Sequence, residues 1–256
     1  GGLPATVYDG QRGKSAQMIA DTPRFYPITP NIRQVDAFNA YTAGCGHAFA
    51  TSAGFPKAWR DQRTFICGPT GNLLGMYDIR PKDSGYEAIN AFSFMASADE
   101  WFSPVVAEVG PDGNLWVADW YNFIIQHNPT PNKGRAGYDA KNGRGNAHIN
   151  PNRDRQHGRI YRVIYRGHAP KQPTLKATTD LISALGHDNL FWRLTAQRLL
   201  VEQQRTDAVP ALQAKLKTGG HAALHSLWAL EGLGKLDRET HRKALIATDP
   251  VLRRNA

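Results

Sequence analysis

The sequence Gly68–Leu73 (GPTGNL) returns almost unchanged as Gly110–Leu115 (GPDGNL), 42 residues later in the chain. An apolar run follows each copy, Leu73–Tyr77 in the first case and Leu115–Ala118 in the second. Proline presets φ for a turn and glycine supplies a positive φ, so each copy reverses the chain between strands. A period of about 40–45 residues with strand-like flanks is typical of β-propeller blades, of which a closed propeller needs roughly 4–8. The repeat therefore predicts the last two to three blades of an all-β partial β-propeller.

Short segments rich in β-branched and aromatic residues lie on both sides of these turns. Gly, Pro, Asn or Asp bounds each segment, which is typical of strands. The spacing disfavours a βαβ fold, which needs amphipathic helices between its strands. Residues 1–168 are therefore predicted to be the C-terminal blades, with a polar insertion at 128–157 that projects from one face. The predicted strands are 43–51, 63–67, 73–79, 88–95, 105–109, 115–119 and 158–166.

The composition changes after residue 168. Residues 169–176 contain two prolines and are predicted to be a linker. Beyond them leucines recur at helical spacing, and Asp188–Arg193 resembles Asp249–Arg254, 61 positions later. That offset equals about two repeats of roughly 30 residues, as in an α-solenoid. The sequence therefore predicts a truncated, all-α HEAT-like solenoid over residues 177–256, following the partial β-propeller.

The overall composition is that of a globular protein with a basic surface. The chain has 256 residues, a formal net charge of +9 and 41% hydrophobic residues. No apolar run approaches the roughly 18 residues of a transmembrane helix, so no membrane span is predicted. A basic surface attracts anionic partners, but the sequence has no Lys/Arg block and no RNP-like motif, which makes nucleic acid the weakest candidate partner. The chain starts without Met and its last residues resemble the beginning of a helix, which predicts a fragment of a longer polypeptide.

The two cysteines, Cys45 and Cys67, lie in separate predicted strands on either side of the 51–61 connection. Neighbouring antiparallel strands bring two such residues within disulfide range when their geometry allows it. Two interpretations stay open, namely a disulfide between Cys45 and Cys67 or two buried free thiols.

The combined pattern resembles one protein family. The residues that carry the resemblance are Ile32–Asn39 (IRQVDAFN), Tyr41–Gly46 (YTAGCG), Trp101–Val105 (WFSPV), Gly110–Asn122 (GPDGNLWVADWYN) and Asn152–Val163 (NRDRQHGRIYRV). They are similar to the bacterial membrane-bound dehydrogenases, in which a propeller resembling the glucose/sorbosone dehydrogenases precedes HEAT-like repeats and, often, a c-type haem domain. The resemblance covers about residues 25–256, and its most diagnostic part is Trp101–Asn122.

The resemblance implies a periplasmic or extracellular protein that oxidises a sugar or a related alcohol or aldehyde. It also implies pyrroloquinoline quinone with calcium as the cofactor, and a haem that accepts the electrons. No Cys-x-x-Cys-His motif occurs in the sequence, so no haem site is expected within this chain. The haem is expected in the rest of the same polypeptide or in a cytochrome c partner.

Several polar residues are candidates for such a site. A quinone that carries carboxylates needs Arg or Lys partners, and oxidation of a hydroxyl needs a base, which a neutral histidine provides. The candidate bases are His127 and His157, which flank the insertion. The candidate cofactor ligands are Arg33, Asp119, Asn122, Arg153 and Arg155.

Simpler interpretations stand beside these. Asp119 and Asn122 end a predicted strand, where such residues commonly close turns by hydrogen bonding to backbone amides. The Arg153–Arg159 segment is either an anion or sugar clamp or a solvated loop with local Arg–Asp pairs. The alternative function is therefore a carbohydrate- or protein-binding propeller and solenoid without catalytic activity.

Overall fold

The structure is a computed structural model that describes residues 6–7, 17–18, 24–29, 41, 44–83, 85–123, 154–167 and 170–256. The chain divides into two compact units. The first unit consists of Gly1–Ala50, Ala58–Val109 and Leu115–Ile164, and the second of Thr51–Lys57, Gly110–Asn114 and Tyr165–Ala256. The described strands belong to the first unit and the described α-helices to the second.

The first unit is built from antiparallel sheets. Its described strands are β1 (Thr6–Val7), β2 (Gln17–Met18), β3 (Cys45–Phe49), β4 (Arg63–Gly68), β5 (Leu73–Lys82), β6 (Gly85–Ala96), β7 (Pro104–Val109), β8 (Leu115–Asp119) and β9 (Arg159–Val163). They form a two-stranded sheet β1-β2, a four-stranded sheet β3-β4-β5-β6 and a three-stranded sheet β7-β8-β9. Within each of these sheets, strands that follow one another in the sequence are paired antiparallel neighbours.

The first copy of the repeated turn connects β4 to β5. Pro69–Gly71 makes one turn of 3-10 helix, and Asn72 follows it with φ +53°, in the left-handed region. Asparagine adopts this conformation more readily than most residues. Its Nδ2 donates to the carbonyl of Phe102 at 2.7 Å. The turn is therefore fixed to the connection between β6 and β7.

Aromatic rings cover one face of the four-stranded sheet. Phe25 and Tyr41 meet edge to face with ring centroids 5.5 Å apart, and both belong to a buried cluster with Ile66 and Leu73. A Cβ at Gly75 would collide with the phenol oxygen of Tyr41. Glycine at position 75 therefore makes room for the side chain of Tyr41.

A bulge in β3 allows β7 to approach the four-stranded sheet. β7 contacts β3 and β4, and the register of β3 shifts between Cys45 and His47. Gly46, between them, has φ +51°. A Cβ at this position would collide with the backbone of Val105 and Val106. Both the positive φ and the close approach therefore require glycine.

The second unit is helical. Its described α-helices are α1 (Thr178–Ala184), α2 (Leu190–Glu202), α3 (Val209–Lys215), α4 (Gly220–Gly232), α5 (Arg238–Leu245) and α6 (Pro250–Asn255). Leu185, Leu200 and Leu230 are part of the buried core shared by α1 to α4, and Leu227 and Leu252 join α4 to α6. No described helix is both long and apolar enough to cross a bilayer.

Asn189 joins α2 to the second copy of the repeated turn. Its side-chain oxygen accepts from the amide of Phe191 at 3.0 Å and caps the helix. Its Nδ2 donates to the carbonyl of Gly110 at 2.9 Å, and the indole N–H of Trp192 donates to the carbonyl of Pro111 at 2.8 Å. These directional bonds explain why residues 110–114 belong to the helical unit.

The prediction of a partial β-propeller followed by a HEAT-like solenoid is wrong. The described residues form small antiparallel sheets and six α-helices, a mixed α and β fold with neither a closed propeller nor a solenoid. The repeat is misleading because the strands that follow its two copies are not equivalent. The first copy precedes β5, the third strand of the four-stranded sheet, and the second precedes β8, the second strand of the three-stranded sheet. The turns differ too, since the left-handed residue is Asn72 in the first and Gly113 in the second. The helices, of 6 to 13 residues, are too unequal for a regular stack.

The individual strands, in contrast, are confirmed. Each of the seven strands predicted from the sequence is present, as β3 to β9, with ends shifted by a few residues. Local alternation and turn residues are sufficient to predict a strand, but they do not specify how hairpins assemble. The predicted insertion at 128–157 lies outside the described residues except for 154–157.

A buried polar network lies between α2 and α4. Nε of Arg193 donates to Nε2 of His225 at 3.3 Å, and Nδ1 of His225 lies 2.8 Å from Oε1 of Gln197. Burial, together with the charge of Arg193 and the proximity of His221, lowers the pKa of His225 from 6.5 to about 4. The ring is therefore neutral in the folded protein at pH 7.

This network predicts a stability that is sensitive to acid. Between pH 6.5 and about 4 the unfolded chain binds a proton at His225 that the folded chain does not bind, so the free energy of unfolding falls as the pH is lowered through this window. We expect His225 to contribute a loss of about 3 kcal/mol by pH 4. Urea denaturation at several pH values measures it, and His225→Gln should flatten the pH dependence.

The matched control is His221→Gln, on the same helix but with an exposed side chain. This variant should keep most of the wild-type dependence of the free energy of unfolding on pH, because His221 contributes least to the lowered pKa of His225. An equal slope in the wild type and in H225Q would contradict the assignment.

Candidate functional site

The ends of all three strands of the β7-β8-β9 sheet meet on the same side of that sheet, where β7 and β9 begin and β8 ends. The register pairs Pro104, which begins β7, with Asp119, which ends β8, and it pairs Asp119 with Arg159, which begins β9. Polar and aromatic side chains gather around these strand ends. We call this cluster the strand-end site; it consists of Asp99, Trp101, Asp119, Tyr121, Asn122, Phe123, Asp154, His157 and Arg159.

A buried carboxylate organises the strand-end site. The side chain of Asp119 is 0% exposed. One oxygen accepts from the amides of Ser103 (2.7 Å) and Tyr121 (2.8 Å), and the other accepts from Nε of Arg159 (2.6 Å). A carboxylate is stable in the interior only when its charge and lone pairs are satisfied in this way. Asp119 therefore joins all three strand ends.

Asn122 closes the segment that follows β8. Its backbone carbonyl accepts from the hydroxyl of Ser103 at 2.5 Å. Its Nδ2 donates to the carbonyl of Asp154 at 3.2 Å. Because of this second bond, residues 122 and 154 lie together although 32 positions separate them in the sequence.

Arg159 pairs with a second carboxylate at the surface. Its Nη1 donates to Oδ2 of Asp99 at 2.7 Å. Partial desolvation raises the pKa of Asp99, but hydrogen bonds from Arg159 and from the amide of Trp101 outweigh it, and the net effect lowers this pKa below its usual value. Asp99 is therefore ionised at neutral pH, and its negative charge lies beside the aromatic residues of the site.

Aromatic rings extend from Arg159 in a column. The guanidinium carbon lies 4.5 Å from the centroid of the Tyr121 ring, a favourable cation–π distance. Tyr121 stacks on Trp101 with centroids 5.2 Å apart, and Trp101 stacks on Phe123 at 5.8 Å. All three rings are partly exposed. The column therefore supports Arg159 and leaves part of its aromatic surface exposed to solvent.

Asp154 orients His157 at the rim of the site. One carboxylate oxygen of Asp154 accepts from the amides of Gln156 (2.7 Å) and His157 (2.8 Å), and the other lies 2.7 Å from Nδ1 of His157. These hydrogen bonds, that from Gln156 first, lower the pKa of Asp154 to about 2. An imidazole that donates from Nδ1 to a carboxylate presents the lone pair of Nε2 to solvent. This arrangement suits a proton acceptor.

The structure brings together three residues that the sequence singled out, namely Asp119, Asn122 and His157. Arg155 lies beside them in the sequence and is exposed. The roles of the remaining predicted site residues stay predictions, because these residues lie outside the described part of the chain: Arg33, His127 and Arg153.

Sequence reasoning missed the aromatic column and the role of Arg159. Trp101 and Tyr121 are 20 positions apart, and their stacking depends on the pairing of β7 with β8. One signal was present in the sequence. An Asp at the end of one predicted strand and an Arg at the start of the next are placed to pair when the two strands are antiparallel neighbours.

The described residues do not fit a quinone that carries carboxylates. Two of its predicted ligands are already engaged within the fold. Asp119 accepts from the amides of Ser103 and Tyr121 and from Arg159. Asn122 is bonded to Ser103 and to Asp154. The guanidinium of Arg159 already faces two carboxylates. For calcium, the described part of the chain contains no cluster of three or more His, Cys, Asp or Glu side chains.

A groove of about 780 Å³ lies in the helical unit, lined by residues of α3, α5 and α6. Two of its three acidic side chains have capping roles. Asp237 accepts from the amide of Thr240 at 2.8 Å, and Asp249 accepts from the amides of Val251 and Gly220, each at 2.8 Å. Because these carboxylates cap helices, we place the candidate function at the strand-end site despite the size of the groove.

One protein family matches the part of the chain that contains the strand-end site. The sequence profile of a family described as "Domain of unknown function (DUF7133)" matches residues 5–167, more than half of the chain. The chain belongs to this family. No match was found among the curated proteins or among the solved structures. The family description gives no activity, so the resemblance to the bacterial dehydrogenases stays a prediction.

The buried position of Asp119 predicts a large effect of its removal. Asp119→Ala leaves two backbone amides and the Arg159 guanidinium without their acceptor. Since Arg159 is 31% exposed, water recovers part of this loss, and we expect the free energy of unfolding to fall by about 3 kcal/mol. Denaturant unfolding followed by tryptophan fluorescence measures it.

Asp99→Ala is the matched control, because it removes the other carboxylate that Arg159 contacts. The Asp99 side chain is 40% exposed, so we expect a loss of less than about 1 kcal/mol. Equal losses in the two variants would show that Asp119 does not organise the site.

Proposed function

We propose that the strand-end site binds a sugar or a related polyol. The observation that carries the proposal is the partly exposed column of Tyr121, Trp101 and Phe123 beside the Asp154–His157 pair. Aromatic rings offer an apolar surface of fixed shape, and a few oriented polar groups at its rim supply specificity. A sugar ring matches both features, because its C–H face is apolar and its hydroxyls both donate and accept hydrogen bonds.

The polar rim supports a hydroxylated ligand rather than a purely apolar one. His157 is exposed and its Nδ1 is held by Asp154, which leaves Nε2 for a ligand, while ionised Asp99 and Asp154 are acceptors for hydroxyl donors. Trp120, next to the column in the sequence, is 43% exposed. Hydroxyl groups of the ligand therefore have partners on the side of the column where these residues lie.

The Asp154–His157 pair favours a second candidate function, chemistry on a hydroxyl of the bound ligand. A histidine held by a carboxylate is a suitable general base for the proton of an alcohol. Oxidation of a sugar or related alcohol, an exported location and a cytochrome c partner belong to this second candidate. They require an electron acceptor for which the described residues offer no fitting site.

A binding experiment tests the first candidate. A panel of neutral sugars, uronic acids and polyols is titrated into the chain and followed by tryptophan fluorescence and calorimetry. We expect one class to bind, and Trp101→Ala to weaken its binding by about tenfold or more, as expected for a central aromatic contact. Trp101→Phe should recover most of the affinity, because it keeps a ring in the column.

The matched control for binding is Trp228→Ala, since Trp228 is a more exposed tryptophan (45%) that lies on α4 in the helical unit. It should leave the affinity unchanged. If no compound binds, or if W101A and W228A bind equally well, the strand-end site is not a carbohydrate site.

A dye-linked oxidation assay with added pyrroloquinoline quinone and calcium tests the second candidate. If the wild type oxidises a bound hydroxyl compound in this assay, His157→Gln should abolish turnover while binding is retained, because a glutamine still accepts a hydrogen bond but does not accept a proton. Binding without turnover by the wild type would remove the catalytic candidate and leave the binding function in place.

A further inference from the structure

Two cysteines face each other in the four-stranded sheet. Cys45 on β3 and Cys67 on β4 are Cα partners in the antiparallel register. Opposite residues of antiparallel strands have Cα atoms about 4.5–5.5 Å apart, within the range of about 4.4–6.8 Å that a disulfide spans. Their side chains emerge on the same face of the sheet. The backbone distance is therefore suited to a covalent bridge, although both thiols are free in the structure.

Neighbouring contacts hold the two strands in this register. Thr64 on β4 donates from its hydroxyl to the carbonyl of Ala48 on β3 at 3.0 Å. Gly46, at the bulge, is enclosed by the backbone of β7 and admits no larger residue. The strands therefore have little freedom to separate Cys45 from Cys67 by a slip of register.

The two thiols differ in access. Cys67 is completely buried, whereas Cys45 is partly exposed and its Sγ lies 4.0 Å from the carbonyl oxygen of Pro104. Burial raises the pKa of Cys45, and burial together with the nearby Cys45 raises the pKa of Cys67 further. Because the thiolate is the reactive form and Cys67 is buried, we expect oxidation to be slower in the folded chain at neutral pH than during folding.

We propose that Cys45 and Cys67 form a disulfide that joins β3 to β4. The oxidant is another disulfide, either of a low-molecular-weight compound or of a protein. This inference is independent of the proposed carbohydrate site. It concerns the redox chemistry of the sheet and rests on the strand register alone.

The exchange has two balanced steps. The more accessible Cys45 thiolate attacks the disulfide of the oxidant and displaces one thiolate, which gives a mixed disulfide at Cys45. The Cys67 thiolate then attacks the Cys45 sulfur and displaces the second thiolate. The two protons of the cysteine thiols pass to the released thiolates. In total, two thiols are oxidised to one disulfide and the oxidant disulfide is reduced to two thiols.

Refolding in a glutathione buffer tests the proposal. The reduced, unfolded 256-residue chain is refolded with oxidised and reduced glutathione, and its intact mass and free thiols are measured. We expect a monomer whose mass is lower by two hydrogen atoms, with no thiol left to alkylate after denaturation. A peptide map should link positions 45 and 67. The bridged chain should unfold at a higher temperature than the same chain after reduction, because the bridge restricts the unfolded state.

Single variants provide the control. Cys45→Ser and Cys67→Ser should each lose the dependence of the unfolding temperature on the redox buffer, with the remaining thiol free or carrying glutathione. A second measurement, which does not depend on refolding, treats the folded wild type with oxidised glutathione at raised pH. The proposal is overturned if the wild type keeps two free thiols under both conditions, or stops at the mixed disulfide, or forms only intermolecular bridges.

Discussion

The carboxylate of Asp119 is the constraint on which the candidate site depends. A charge with no solvent exposure must be matched inside the protein, and the three donors that match it come from the residue before β7, the segment after β8 and the start of β9. One side chain thereby fixes the relative positions of three strand ends. The positions of Tyr121 and Arg159 follow from this, and so does the aromatic column between Arg159 and Phe123.

The same constraint explains why polar chemistry is concentrated at this edge of the sheet. Arg159 satisfies Asp119 with one nitrogen and contacts the exposed Asp99 with another. The guanidinium therefore links the buried carboxylate of Asp119 to the exposed carboxylate of Asp99 and fixes their relative positions. Asn122 has a similar role, because its side chain bonds to the backbone carbonyl of Asp154. This bond places the Asp154–His157 pair next to the column. A rigid base with exposed rings and charges above it is a common construction for a binding site.

What could be predicted from the sequence is local. Turn residues and β-branched runs are enough to predict β3 to β9, since a strand depends on its own residues and its two faces. The assembly of the sheets depends on details that no local pattern contains, such as Asn72 reaching Phe102, or Gly46 admitting β7. The site shows the same division. Asp119, Asn122 and His157 stand out as polar residues near strand ends, whereas Trp101 and Arg159 acquire their roles only through strand pairing and stacking.

The Asp154–His157 pair contains more order than stability requires. One oxygen of Asp154 already closes its turn by accepting two backbone amides, so the turn does not need the imidazole. A contact this exposed contributes little free energy, since the His157 side chain is 69% exposed. The second oxygen nevertheless holds Nδ1 at hydrogen-bond distance, and the imidazole lies 6.2 Å from the Tyr121 ring of the column, centroid to centroid. Because folding gains so little from this orientation, it supports the proposed contact between His157 and a ligand.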